Sequence, residues 1–285
     1  MRSVLVCTDG SPYAGVALRY GRYLAETMHL KVKILFVEDV RLTQGPLLTG
    51  YYGPVGMAPS PAYPAFYDEL IRTVKEQGQR AIADARDVFA DADVHVEYLV
   101  RDGIVRDCIL EEARTVDMLC LGRRGEHGQW EDEDIGSTVR KVLHRTERPV
   151  LVTPDAFREI SRILVAYDAS RAANRALRVA CALASDEGLP MVVAVVAADA
   201  GERPRAEAVL SEARELASGY QDVETEFVLL EGEETEGLLT ACADEKACDL
   251  IAMGAYGESR IREWLLGSTT TGVLARAAQP VLLAR

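Results

Sequence analysis

The amino-acid sequence predicts an α/β protein made of two similar units, each an open, five-stranded parallel sheet with helices on both faces. Three observations support this fold class: the two parts of the chain repeat each other, apolar segments alternate with helical segments, and the apolar segments are continuous runs of Val, Ile, Leu and Ala. Continuous apolar strands are typical of parallel sheets that are covered on both faces. Strand–helix alternation favours a doubly wound sheet with right-handed crossovers.

The internal repeat defines the two units. Residues 3–11, SVLVCTDGS, align without a gap with residues 162–170, RILVAYDAS. Further along, residues 116–125, VDMLCLGRRG, align with residues 248–257, CDLIAMGAYG. We therefore expect a first unit over 1–155 and a second over 160–285. The first unit is longer because of a Gly- and Pro-rich, aromatic insertion at about 43–66, which we interpret either as a linker or as a lid or subunit contact.

Each copy contains the order β-α-β-α-β-α-β-α-β. In the second copy the apolar runs predict strands over about 161–167, 190–197, 223–230, 249–253 and 280–284. The segments between them include predicted helices over 171–186 and 206–218. Ligands of open α/β sheets bind beyond the carboxyl ends of the strands, where the winding reverses. The ends of the first and fourth strands of each unit are therefore the first places to look for a site.

Composition excludes several classes of function. The net charge of −13 comes with no basic cluster, so nucleic acid and anionic membranes are poor partners. No run approaches the roughly 18 apolar residues of a membrane-spanning helix, and the first apolar run is too short for a signal peptide. The six cysteines form no C-x-x-C pair, and the four histidines have no metal-ligand spacing. We expect a cytoplasmic protein with reduced thiols and without a metal centre.

A glycine loop follows the fourth strand of the second copy. Gly254-Ala-Tyr-Gly257 is followed after nine residues by Gly267-Ser268-Thr269, where a helix is predicted to begin. Glycines allow backbone N–H groups to approach an anion closely. The start of a helix adds further N–H groups and the positive end of its dipole. The pattern indicates a phosphate-binding site, although the same residues are also typical of strand-exit turns and helix caps.

An aspartate ends the first strand of both copies, as Asp9 and Asp168. A carboxylate beside phosphates repels them, so we expect it to bind a ribose hydroxyl, the adenine edge or a metal ion instead. Val37 and Val196 close the second strands and could pack against a base. Taken alone, each aspartate is equally well explained as a turn former or a helix cap.

Together these residues resemble the universal stress protein family, and the chain is similar to a tandem member over nearly its whole length. The resemblance implies an adenine-nucleotide site that takes ATP, with or without Mg²⁺, and two halves that pair as an intramolecular pseudo-dimer, with room for a further homodimer. In the second unit it implies binding by Ala166, Tyr167, Asp168, Val196, Met253, Gly254, Tyr256, Gly257, Gly267, Ser268, Thr269 and Thr270. The counterparts in the first unit are Thr8, Asp9, Val37, Gly122, Gly125, Gly136, Ser137 and Thr138.

The first unit departs from this pattern. Ten residues, from Glu126 to Ile135, separate Gly125 from Gly136, and they carry acidic residues at 126 and 131–134. The matching stretch of the second unit carries Arg260 and Arg262. A carboxylate close to a phosphate opposes binding by roughly 1 kcal/mol in a watery site. We therefore expect the second unit to be the main ATP site.

The sequence contains no recognisable catalytic set of residues. We expect a regulatory or stress-response protein rather than a metabolic catalyst. Two other classes stay open: an ATP-hydrolysing enzyme of the adenine-nucleotide α-hydrolase type, and a scaffold that binds other proteins and no nucleotide.

Overall fold

The computed structural model describes residues 1–43, 63–125, 135–220, 222–255 and 267–285. The insertion predicted at 43–66 lies largely outside these ranges. So do the acidic stretch after Gly125 and, in the second glycine loop, Tyr256, Gly257, Arg260 and Arg262.

The first half of the chain alternates strands and helices. Its elements are β1 (Ser3–Cys7), α1 (Pro12–Thr27), β2 (Lys31–Asp39), α2 (Val40–Thr43), α3 (Tyr63–Val88), β3 (Val96–Gly103), α4 (Val105–Ala113), β4 (Met118–Gly122), α5 (Ser137–Arg145) and β5 (Val150–Thr153).

The second half repeats this order. Its elements are β6 (Ile163–Ala166), α6 (Arg171–Glu187), β7 (Met191–Ala197), α7 (Arg203–Ala217), β8 (Thr225–Glu231), α8 (Thr235–Glu245), β9 (Leu250–Gly254), α9 (Ser268–Arg276) and β10 (Val281–Ala284). The strands begin and end within about three residues of the predicted positions, which is the usual precision of sequence patterns.

All strands belong to one ten-stranded sheet with the order β3-β2-β1-β4-β5-β10-β9-β6-β7-β8. Pairing is parallel within each half. The last strands of the two halves, β5 and β10, pair antiparallel, with Leu151 opposite Leu282. The predicted fold class is therefore confirmed, and the two five-stranded sheets are joined edge to edge within one chain.

Apolar side chains fill the space on both faces of this sheet. Along β1, Val4 and Val6 join the core beneath α1, whereas Leu5 faces the opposite core. The same alternation occurs along β6, where Ile163 and Leu164 belong to different cores. Because both faces of the central strands are buried, these strands need apolar residues throughout, which explains their continuous apolar sequences; the outer strands β3 and β8 also carry charged residues.

Contacts beyond the sheet also join the halves. The Tyr20 ring lies 4.7 Å from that of Phe157 in the connecting segment, and the Tyr23 hydroxyl donates to the Ile160 carbonyl at 3.0 Å. Arg123, beside the first glycine loop, donates from an Nη to the Ala277 carbonyl at the end of α9, at 2.5 Å. A cation at a helix C-terminus stabilises the helix dipole.

Candidate functional site

Each half carries one cleft at the carboxyl ends of its central strands. In the second half the chain passes from β6 outward to β7 and β8, and then returns to β9 on the other side. The cleft of about 330 Å³ lies at this reversal, where open α/β sheets bind their ligands. The cleft of the first half, about 290 Å³, occupies the equivalent place.

The structure brings the predicted residues together. Every described residue that the sequence predicted for the second unit lines the second cleft: Ala166, Tyr167, Asp168, Val196, Met253, Gly254, Gly267, Ser268, Thr269 and Thr270. Tyr256 and Gly257 lie outside the described residues. The first cleft likewise gathers Thr8, Asp9, Val37, Gly122, Gly125, Gly136, Ser137 and Thr138. Nucleotide binding by these residues stays a prediction.

The turn after β6 fixes the orientation of Asp168. Its Oδ1 accepts a hydrogen bond from the Ser170 amide at 3.0 Å, and the Ser170 hydroxyl in turn caps α6 by accepting from the Ala173 amide at 3.0 Å. The aspartate is therefore a turn former, and it is the serine that caps the helix. The carboxylate is nevertheless exposed to solvent and lines the cleft.

Close packing requires a glycine at position 254, which the sequence alone did not reveal. A Cβ atom at this position would lie 2.9 Å from both the Ala172 Cβ and the Ala173 backbone nitrogen. The equivalent Gly122 would meet the Tyr13 backbone at 3.1 Å. Both glycines let the end of the fourth strand approach the first helix of its unit closely. Close strand–helix packing therefore explains these two positions before any ligand is considered.

The start of α9 has the features of an anion site. Gly267 is its N-cap residue and has no side chain that could cap the helix. Among the described residues, the nearest atom to a Cβ built on Gly267 is the Thr270 Oγ1, 3.7 Å away. The first-turn N–H groups have no partner within the helix itself, and here they face the cleft together with the Ser268 and Thr269 side chains.

Thr270 has a structural task. Its side chain is 2% exposed, and its hydroxyl donates to the Ala255 carbonyl at 3.1 Å. The bond ties the start of α9 to the residue that follows β9. Of the three polar side chains expected to hold phosphates here, Ser268 and Thr269 are the more accessible.

Tyr167 also makes its polar contacts within the protein. Its hydroxyl lies 2.6 Å from the Asn174 Oδ1 and 2.9 Å from a Glu212 carboxylate oxygen. Burial and the neighbouring Glu212 carboxylate raise the pKa of this phenol well above its ordinary range. Tyr167 therefore stays neutral and joins β6 to α6 and α7, and its hydroxyl is used in these contacts.

The second cleft also contains polar residues, carried by helices, that were not predicted from the sequence. Glu202 and Arg205, at the start of α7, and Thr235, at the start of α8, line it. All three follow the carboxyl ends of β7 and β8, which is the signal that could have identified them. Glu202 is oriented by accepting from the Ala198 amide at 3.2 Å.

The first cleft has a different chemistry. Arg41 donates to both oxygens of Asp39, at 3.0 and 2.5 Å, at its mouth. Burial raises the pKa of Asp39, but the hydrogen bonds from Arg41 outweigh it and hold that pKa below its ordinary value. A Cβ at Gly125 would lie 2.8 Å from the Asp9 Oδ2, so this glycine lets the loop lie directly over the aspartate. Cys7 replaces the Ala166 of the second cleft, and burial raises the pKa of its thiol.

Two classes of site are not found in the described part of the chain. No group of three or more His, Cys, Asp or Glu side chains there could hold a metal ion. No helix among the described residues is both long enough and apolar enough to cross a membrane.

Comparison with known proteins agrees with the fold. The model of the universal stress protein family matches residues 1–154 and 159–285. A universal stress protein of Synechocystis is 29% identical over 292 aligned positions, covering 100% of both chains. The crystal structure of a universal stress protein from Archaeoglobus fulgidus superposes with a TM-score of 0.74 at 21% identity, covering 99% of this chain and 96% of that one. A universal stress protein solved in complex with cAMP is 26% identical, covering 45% of this chain and 98% of its own, with a TM-score of 0.38.

Proposed function

Because the chain belongs to the universal stress protein family and its predicted site residues line one cleft, we propose that it binds ATP in the cleft of the second half. The protein would act as a stress-response or regulatory module, in which ATP shifts a conformational equilibrium through its different affinities for the two states. All six cysteines are free thiols, which is in keeping with the reducing cytoplasm.

The observation that carries this proposal is the start of α9 at the edge of the cleft. Its N-cap residue, Gly267, has no side chain to accept from the first-turn amides, the nearest described atom to a Cβ built on Gly267 is 3.7 Å away, and the first turn lines the cleft. Backbone amides at a helix N-terminus bind phosphate through their hydrogen bonds and the helix dipole, whatever the net charge of the protein. The acidic net charge of −13 is therefore compatible with ATP binding.

The rest of the cleft suits a nucleoside. Ala166, Ala194, Val196 and Met253 give one wall an apolar lining for the base. Asp168, held by its turn, presents a carboxylate that would accept from ribose hydroxyls. A volume of about 330 Å³ falls in the range of small-molecule sites. Mg²⁺, where present, would enter bound to the phosphates of ATP.

We propose that the first half binds ATP more weakly. The N-cap residue of α5, Gly136, likewise brings no side-chain cap, so the first-turn amides of α5 would also be available to a phosphate. This cleft, however, is also lined by the Arg41–Asp39 pair, and Gly125 lies close to Asp9. The acidic residues at 126 and 131–134 would add repulsion.

The direct test is calorimetric titration of the full chain with ATP in Mg²⁺, comparing wild type with Gly267→Asp. An aspartate at this N-cap would accept from the same amides and repel phosphate. The variant should be more stable without ligand, by about 0.5–1 kcal/mol, yet its Kd for ATP should rise at least about tenfold. Gly136→Asp is the matched control in the first half, and it should leave the tighter site unchanged.

The same experiment separates the other two classes of function. A scaffold would give no binding heat and no thermal stabilisation by ATP at millimolar concentration. An ATP-hydrolysing enzyme would release ADP or AMP steadily, and Asp168→Ala would abolish that release. Equal loss of binding in the two glycine variants would contradict the assignment of the main site to the second half.

A further inference from the structure

We propose that two copies of this chain associate through β3, pairing antiparallel about a twofold axis that passes through Leu99. Strand β3 is one end of the ten-stranded sheet, with a hydrogen-bonded neighbour, β2, on one side only in the described part of the chain. It is eight residues long, and among the described residues no strand pairs with the backbone groups of its outer side. Such an edge is a template for another strand.

The hydrogen bonding to β2 decides which backbone groups face outward. The Val32 amide donates to the His95 carbonyl at 2.9 Å, and Val32 is in register with Val96. In a parallel ladder, the backbone N–H and C=O groups of the odd-numbered residues of β3 then point toward β2. Those of the even-numbered residues point outward, away from the sheet. Two copies can then exchange hydrogen bonds only in registers that place even-numbered residues opposite each other.

One allowed register also matches the side chains. With Leu99 opposite Leu99 of the second copy, Glu97 faces Arg101 and Tyr98 faces Val100, twice each by symmetry. Shifting the axis to Tyr98 leaves Glu97 opposite Leu99. Shifting it to Val100 places Glu97 opposite Gly103 and Arg101 opposite Leu99. Opposite charges and aromatic–β-branched pairs facing each other stabilise antiparallel strands, so the register centred on Leu99 is favoured.

Among the described residues, three of the four exposed large apolar side chains lie on β3 or on elements beside it. Val100 is 49% exposed, and Leu42 and Ile104, on elements next to β3, are 48% and 38% exposed. In the favoured register Val100 would be covered by Tyr98 of the second copy. Arg101 already pairs with Glu112 at 2.9 Å, and in the dimer its guanidinium would be shared between Glu112 and the Glu97 carboxylate of the second copy.

The opposite edge of the sheet lacks this complementarity. Strand β8 contains Glu226 and Glu231 and no basic residue. Antiparallel pairing of two β8 strands therefore offers no opposite-charge pair in any register. The β3 edge is the one whose sequence fits a second copy, and a twofold pairing there closes the assembly as a dimer.

The test uses two single variants and their mixture. Glu97→Lys places lysine opposite Arg101, and Arg101→Glu places glutamate opposite Glu97, so each should weaken dimerisation at least about tenfold through two repulsive pairs. Mixing them in equal amounts creates a pair of chains in which both contacts are again attractive, and the dimer mass should return. Glu226→Lys is the matched control on β8, because Glu226, like Glu97, pairs with a lysine of its own chain; it should not change the mass.

Sedimentation measures these masses, and circular dichroism checks that each variant is folded. A wild-type chain that stays monomeric at about 0.1 mM would overturn the proposal, since a stable pair should form well below that concentration. So would a dimer that both variants leave intact, or a mixture that stays monomeric. In a Cys108→Ser background, Leu99→Cys should form a disulfide-linked dimer. Linkage by Val100→Cys instead would overturn the register.

Discussion

Replacing Gly254 by alanine tests whether this residue of the glycine loop is required by packing. The added Cβ would lie 2.9 Å from the Ala172 Cβ and from the Ala173 nitrogen, where carbon contacts normally lie at about 3.5–4.0 Å. One of these atoms belongs to the backbone of α6, so the strand and the helix must move apart. Overpacking of this kind costs about 1–3 kcal/mol, which would lower the melting temperature of a chain of this length by roughly 2–5 °C.

The assay is urea and thermal unfolding of the nucleotide-free protein, followed by circular dichroism. Gly15→Ala is the control, because a Cβ there meets no atom within 4 Å and Gly15 lies inside α1. That variant should gain about 0.5–1 kcal/mol, since alanine favours a helix interior. If Gly254→Ala unfolds like wild type and loses only ATP binding, the packing explanation is refuted and the glycine is there for the ligand.

Two further predictions concern backbone strain and pH. Ala169 has a φ of 64°, and the equivalent residue of the first half, Gly10, has a φ of 80°. The left-handed conformation costs an alanine about 1–2 kcal/mol, and glycine has more freedom to lose from the unfolded chain, so Ala169→Gly should raise the free energy of unfolding by about 0.5–1 kcal/mol. A lower free energy of unfolding in urea would contradict this prediction. Burial and the neighbouring Asp102 carboxyl raise the pKa of Glu38 above its ordinary value of 4.5, so the folded state binds this proton more tightly, and the contribution of Glu38 to stability is lost as the pH rises through the folded pKa. Glu38→Gln should therefore be more stable than wild type near pH 7, by less than about 1 kcal/mol for a group this exposed, and no more stable near pH 3.5. A stability gain that is larger at low pH would show that the pKa of Glu38 is lowered rather than raised.

The parts of the fold that depend on local patterns were predictable. Continuous apolar runs identified strands such as β7, Met191–Ala197, because a strand that is covered on both faces needs apolar residues throughout. The repeat placed Asp9 and Asp168 at equivalent strand ends, and the structure has them there, each accepting from a serine amide two residues on.

The parts that depend on tertiary packing were not predictable. Arg205 and Gln77 reach the clefts from α7 and α3, and their position depends on how each helix is rotated against the sheet. The collision that requires Gly254 involves Ala172, which is distant in sequence. In the same way, the complementarity of Glu97 and Arg101 along one edge becomes visible only once the hydrogen-bonding direction of β3 is known.

The claim that the first turn of α9 holds the phosphates is tested most directly by backbone amide NMR of the ¹⁵N-labelled full chain during titration with ATP in Mg²⁺. The account predicts that the amide resonances of Ser268 and Thr269 shift markedly and saturate together with the calorimetric signal, while the amides of Ser137 and Thr138 respond only at higher concentration. Saturation by ATP with the Ser268 and Thr269 amides unmoved would contradict it.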